Sequence, residues 1–281
     1  MLLCTFVRMR ANLWSLIFWL AVSFPAIGQE TAPAPDANTT TKVRQAYEAG
    51  EWFRFRIHYG IFNTSFATIE LIDEKWDDQP VFHARAIGKT TGLARLFFKV
   101  DDYYDSYFTQ DTVRPLYFTR NIDEGGYKKN LNIRFDHQHN KAEVNDLLKN
   151  ETVTFDIEPD VQDLVSCFYY LRSQFDASTI NEGEFISVNL FFDKENFIFK
   201  FKFLGTEEIK TKYGRVKALK FRPYVHSGRV FRSRESITLW VSDDDNRIPL
   251  RMEADLKVGS IVADLDAFKG LKNQFKIVVP D

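Results

Sequence analysis

The sequence predicts a mainly β fold: a long antiparallel meander forming an open or half-closed barrel, with one clear helix packed against it. Three observations carry that prediction. Segments in which apolar and polar residues alternate with a period of two recur along the chain after residue 50. Aromatic residues are abundant, with 27 Phe, 11 Tyr and 5 Trp in 281 residues, and Phe outnumbers Leu. Such side chains favour pleated, half-buried strands. Only one long segment, about 160–175, switches to helical spacing.

The first 28 residues have the three parts of a secretory signal. Arg8 and Arg10 give a basic start, residues 13–22 an apolar core, and Pro25, Ala26 and Gly28 a small-residue exit. Cleavage is expected between Gly28 and Gln29. The apolar run is shorter than the ~20 residues of a spanning helix, so the mature chain is not expected to span a membrane. Both Met1 and Met9 stay open as starts, with Met9 giving the tidier signal. Residues 29–47 begin with a Pro-, Ala- and Thr-rich run without apolar period, the pattern of a disordered leader. Residues 48–281 are read as a single β-rich domain.

Within it, Trp52 to Tyr59 alternates cleanly, with Phe53, Phe55, Ile57 and Tyr59 on one face and Arg54, Arg56 and His58 on the other. A turn at Asn63-Thr64 leads to a strand over 66–74. Further strands fit 81–88, 103–109, 116–122, 131–136, 153–157 and 185–192. The strongest is 196–204, where Phe197, Phe199, Phe201 and Phe203 share one face. Strands at 216–221, 237–241, 249–256 and 260–268 complete the meander, with Gly-, Asn- and Asp-rich turns between them. In the helical segment, Val161, Leu164, Val165, Phe168, Leu171 and Phe175 follow the helical period. Asp160 is the expected N-cap, and Asp163 sits in the first turn. A shorter helical turn fits 91–98.

Charge and motifs exclude more than they nominate. Losing Arg8 and Arg10 takes the formal charge from −2 to −4, and no basic block points to nucleic acid or to an anionic membrane. Cys4 precedes the apolar core, so it is no lipid-attachment cysteine. Cys167 is then the only cysteine of the mature chain, and no internal disulfide forms. Phosphate-binding glycine loops, H-E-x-x-H, C-x-x-C and G-x-S-x-G are all absent. No catalytic residue, metal ligand or cofactor is assigned. His137 and His139 form an H-x-H, but zinc needs at least three protein ligands, and their polar surroundings favour a hairpin tip. The run from Asp243 to Asn246 lacks the Gly and distal Glu of a calcium loop and reads as a turn. Asp101 and Asp105 share a strand face that Asp102 does not; with no defined cleft, a solvated or Arg-paired edge is expected rather than acid–base chemistry.

The Phe-rich faces nominate a site. An alternating set must point into a barrel, where it either fills the interior or lines a cavity. Phe53, Phe55, Phe168, Phe197, Phe199, Phe201 and Phe203 are the candidate lining residues for a lipid or acylated partner.

Ordered motifs across 48–268 resemble the exported bacterial family called domain of unknown function 3108. They are Gly50-Glu51 before the strand ending at Tyr59-Gly60, Val100-Asp101-Asp102 with Asp105-Ser106, and Asp163 to Ser166 with Tyr169, Leu171 and Arg172. Tyr213 to Ala218, Trp240 to Asp244 with Ile248-Pro249, and Val258-Gly259-Ser260 follow. Ser65 departs from the family's usual Gly and is expected to alter a turn. The resemblance implies a periplasmic or envelope protein of Gram-negative bacteria with a barrel-like sheet. Its outline is similar to the half-barrel lipoprotein carriers, an analogy of fold alone. The resulting expectation is an exported, periplasmic, non-enzymatic binder of an apolar or amphipathic ligand. An envelope enzyme acting on glycan or peptidoglycan and a structural or assembly factor are the alternatives.

Overall fold

The computed structural model describes residues 46–174, 179–226 and 237–278. The signal segment, the cleavage point and the leader up to residue 45 lie outside the described residues. Ala46 and Tyr47, at the end of the stretch read as leader, are each 1% exposed and belong to the core.

The strands, in chain order, are β1 (Trp52–Tyr59), β2 (Phe62–Trp76), β3 (Gln79–Thr90), β4 (Val100–Thr109), β5 (Pro115–Glu124), β6 (Tyr127–Asp136), β7 (Lys141–Asp146), β8 (Glu151–Asp156), β9 (Phe185–Phe192), β10 (Glu195–Thr211), β11 (Gly214–His226), β12 (Ile237–Ser242), β13 (Pro249–Asp255) and β14 (Ser260–Lys269). Helix α1 (Gly92–Phe97) lies between β3 and β4, and α2 (Ser166–Gln174) between β8 and β9. All fourteen strands form one sheet in the order β8-β7-β6-β5-β4-β3-β2-β1-β14-β13-β12-β11-β10-β9. Every pair is antiparallel; β1 pairs with both β2 and β14 and joins the two arms of the meander. Register breaks in β1, β4, β10 and β12 bend the sheet.

The expected meander and helix are present, with corrections of detail. The first turn is at Gly60-Ile61, because Phe62 already pairs with Tyr59. Asn63 and Thr64 are therefore in β2, and Ser65 is buried in mid-strand rather than at a turn. Strand β7 lies outside the strands expected from the sequence: of its three inward residues, Ala142, Val144 and Asp146, only two are apolar, and Lys, Glu and Asn fill the rest.

Helix α2 starts at Ser166, six residues later than Asp160. Asp160 has φ 52° and cannot begin a helix. Gln162 is instead recruited by the sheet: its N–H donates to the Asn189 carbonyl at 2.8 Å, and its carbonyl accepts from the Phe191 N–H at 2.9 Å. The cap is Asp163, whose Oδ1 accepts from the N–H groups of Val165 (2.7 Å) and Ser166 (2.8 Å). Its Oδ2 accepts from the Ser106 hydroxyl at 2.6 Å, fixing the helix start to β4. Residue 175, the expected helix end, lies outside the described residues.

The hydrogen-bonded sheet is open, but its edges are brought together. The Gln162 bonds tie the chain after β8 to β9. Asn196 extends the seam by donating to the Asp156 carbonyl at 2.9 Å. Phe191 then packs between Phe135 and Phe155, with ring centroids 6.2 and 6.0 Å away. Curvature and seam together make the open sheet barrel-like.

Candidate ligand-binding concavity

Helix α2 stands inside the curve of the sheet and touches four apolar clusters. Tyr169 packs into the cluster of the β2–β8 half, against Tyr47 at 4.9 Å and Phe108 at 5.4 Å. Phe168 meets Phe53 at 6.3 Å, within a cluster that also holds Phe55, Ile248, Leu250 and Leu265. Cys167 and Leu171 cover Val188, Leu190, Phe197 and Phe199. Leu171 also reaches the cluster of Phe201, Phe203, Leu219 and Phe221. A helix with apolar contacts on so many sides acts as a plug.

The six nominated Phe residues of the strands therefore face the helix side of the sheet, in neighbouring groups, and Phe168 on α2 faces them. Their burial differs. Phe53, Phe201 and Phe203 are core residues, whereas Phe55, Phe168, Phe197 and Phe199 are half-buried. The two halves of the interior contrast. On β4–β7 the inward side chains are sealed: Phe108, Phe118, Ile122, Leu131, Ile133 and Val144 are at most 1% exposed. On β9–β12, Ile186, Phe197, Phe199, Leu239 and Val241 keep part of their surface open. This accessible apolar face is walled by Leu171 and Ile180.

At the end of the interior near α1 lies a polar layer that sequence reasoning missed. Asp102, Arg120, Glu124, Lys129 and Asp146 all point inward. The turn Asp193-Lys194 closes against them from β9–β10. Its two residues have φ 50° and 70°, as a tight two-residue hairpin requires. Asp193 pairs with Arg120 and Lys129, and Lys194 with Asp146. Arg120, only 1% exposed, also lies over the Phe192 ring at 4.4 Å. Burial, reinforced by a hydrogen bond with Glu124, pushes the Asp102 carboxyl up to about 8. Glu124, Asp146 and Asp193 thus share the layer with Arg120, Lys129 and Lys194. Strand parity is the signal that marks the layer, since Asp102, Arg120 and Glu124 occupy positions whose strand neighbours two away are apolar.

A pH effect follows. The unfolded chain releases this proton near an ordinary Asp value of ~3.9, and the native protein holds it to about pH 8. Within that window the native state binds more protons, so stability falls as pH rises, by at most ~1.4 kcal/mol per pH unit. Asp102→Asn removes the proton and is expected to flatten the profile. Urea unfolding at pH 6, 7 and 8 checks it; an unchanged slope in the variant contradicts it.

The remaining candidates are accounted for locally. Asp136 Oδ1 accepts from the Gln138 and His139 N–H groups, so the H-x-H is a hairpin tip. His137 contacts the Pro115 carbonyl at 2.7 Å, and burial lowers its pKa. Asp244 Oδ1 accepts from Ser242, Asn246 and Arg247, making that run a turn. Asp101 pairs with Arg95 and Lys99, and Asp105 with His83 and Arg85. No group of three His, Cys, Asp or Glu suited to a metal occurs among the described residues. No helix among them is long and apolar enough to cross a membrane.

On the outer face, Trp76 stacks on Tyr117 at 4.8 Å. Beside Tyr117 runs a shallow polar groove lined also by Asn132, Arg134, Glu143 and Asn145.

Comparison with known proteins places the chain in context. The model of the family described as "Protein of unknown function (DUF3108)" matches residues 54–266. A solved β-barrel-like protein of domain of unknown function DUF1849 from Brucella abortus is similar at TM-score 0.48 and 10% identity, covering 79% of this chain and 98% of that one. A protein from Bacteroides fragilis, described as exported and with a YmcC-like fold, aligns at TM-score 0.32 and 10% identity over 82% of this chain and 100% of its own. A protein from Parabacteroides distasonis described as a lipoprotein aligns at TM-score 0.32 and 13% identity over the same shares. No curated protein matches the chain.

Proposed function

The chain belongs to DUF3108, a family of unknown function, and from that premise we propose that it is an exported, non-enzymatic envelope protein that binds an apolar or amphipathic ligand. The ligand, a lipid or an acylated partner, lies between α2 and the inner face of β9–β12. One observation carries the reading: the contrast between the sealed β4–β7 interior and the half-buried aromatic face around Phe197 and Phe199. Half-open apolar surface beside a helix gives an acyl chain a place to leave water without displacing the core. The signal segment expected over residues 1–28 supports this reading, since an exported chain has lipids and acylated proteins as its neighbours. Its compartment is then the periplasm.

The test is a titration with a fluorescent fatty-acid probe. Saturable binding is expected for the wild type. Phe197→Ala with Phe199→Ala should weaken it about tenfold or more, since a buried Phe contributes ~1.5–3 kcal/mol. Equal binding by both proteins would defeat the proposal.

A second reading, contact with a glycan, is favoured by the outer-face stack of Trp76 and Tyr117 beside a groove of planar polar side chains. Saccharide rings stack on such aromatics while amides and carboxylates meet their hydroxyls.

A further inference from the structure

The turns of the meander sort by rim, and the two rims differ in chemistry. Antiparallel order puts the β1–β2, β3–β4, β5–β6, β7–β8, β9–β10, β11–β12 and β13–β14 connections at one end, the β11–β12 connection lying outside the described residues. The β2–β3, β4–β5, β6–β7, β10–β11 and β12–β13 turns lie at the other.

The first rim carries most of the large apolar side chains exposed among the described residues. Ile61 is 90% exposed and Phe62 68%; on α1, Leu93, Leu96 and Phe97 are 76%, 79% and 82% exposed; Val258 is 77% exposed. These six lie on three connections that are neighbours in the sheet. The Thr91 N–H donates to the Thr64 carbonyl at 3.0 Å, joining the α1 loop to β2. The Tyr59 hydroxyl donates to the Val258 carbonyl at 2.8 Å, joining the β13–β14 turn to β1. Farther round, the β7–β8 turn adds exposed Leu147 and Leu148.

Charge follows the same division. Turn residues 60–61, 91–99, 125–126, 147–150 and 256–259 include Arg95, Lys99, Lys149 and Lys257 and no carboxylate. Arg95 and Lys99 pair with Asp101 and Asp123 behind the tips, yet stay 40% and 47% exposed. The carboxylate of the Asp193-Lys194 turn faces inward, onto Arg120. By contrast, the opposite turns carry six carboxylates, Asp77, Asp78, Asp111, Asp243, Asp244 and Asp245, against three cations, Arg114, Lys212 and Arg247.

We propose that the α1 rim docks onto an anionic phospholipid surface, with Leu93, Leu96, Phe97, Ile61, Phe62 and Val258 entering the headgroup–acyl boundary. Separate apolar knuckles with cations between them suit an interface that yields around each tip. Arg95, Lys99, Lys149 and Lys257 complement anionic headgroups, and the acidic rim is held away from the same surface. The chain's small net charge conceals this polarity, because the charges separate by rim rather than by stretch of sequence. Docking is independent of ligand binding in the concavity.

The experiment is co-sedimentation of the protein, purified as its host processes it, with phosphatidylglycerol-containing or pure phosphatidylcholine vesicles. Binding to the anionic vesicles is expected, weakening in about 0.5 M salt. Leu96→Ser with Phe97→Ser should reduce it at least about tenfold without changing the thermal melt, since both side chains are exposed. Arg95→Glu with Lys257→Glu should reduce binding to anionic vesicles selectively. Phe197→Ala with Phe199→Ala should leave vesicle binding intact, which separates this proposal from the concavity reading. Absence of wild-type binding to anionic vesicles overturns it, as does undiminished binding by Leu96→Ser with Phe97→Ser. Sedimentation showing a dimer that those serine substitutions dissociate would make the rim a contact between copies and also overturn it.

Discussion

Arg172→Met is expected to cost about 3–5 kcal/mol of folding stability, because it leaves a buried carboxylate without its partner. Arg172 is 4% exposed and Glu51 fully buried; two hydrogen bonds of 2.6 and 2.7 Å join them. The guanidinium also donates to the Asn246 carbonyl at 3.0 Å and lies among the rings of Tyr47, Phe53, Phe168 and Tyr169. One side chain thus ties the start of β1, the plug helix and the β12–β13 turn. The melting temperature should fall by roughly 10 °C, at about 2–4 °C per kcal/mol for a chain of this size. Glu51→Leu combined with Arg172→Met should recover much of the loss, since no charge then stays buried. Urea unfolding measures both variants. A single-variant loss below about 1 kcal/mol would mean that the pair is not the clamp inferred from its burial.

Phe191→Ala is the second large effect, at about 3–5 kcal/mol. Phe191 is fully buried, and its ring fills the seam against Phe135 and Phe155. Its amide also donates to Gln162, so the cavity would open beside the bonds that join the two sheet edges. Loss should therefore be local before it is global. Amide exchange is expected to accelerate at Phe191 and Gln162 ahead of the central β4–β5 ladder. Uniform acceleration across the sheet would assign Phe191 to the general core and remove the seam from the account.

These two residues also show what sequence can reveal. The β10 face was legible because Phe197, Phe199, Phe201 and Phe203 alternate with no break, and β9 because 185–192 is almost wholly apolar. The Phe191 seam was not legible. It depends on which strands become edges, a property of sheet order rather than of local pattern. Gln162 shows the same limit: its neighbours follow helical spacing, but β9 captures its backbone and delays the helix to Ser166. Strand β7 escaped because its inward face holds only Ala142 and Val144 as apolar residues, followed by a buried Asp146. The Phe set could be named as inward-facing, but not which members α2 would seal. The polar layer left a trace in the parity of Asp102, whereas its partners Asp193 and Lys194 come from a hairpin distant in sequence. The apolar rim needed strand order before Ile61, Leu96 and Val258 could be seen as neighbours.

The central claim is that the half-buried aromatic face between α2 and β9–β12 holds an apolar ligand. Native mass spectrometry of the protein isolated from its own envelope tests it most directly. A bound species of lipid mass is expected on the wild type and should be depleted from the variant carrying Phe197→Ala and Phe199→Ala. A wild-type protein recovered only at its polypeptide mass would contradict the claim and leave the concavity as packed core alone.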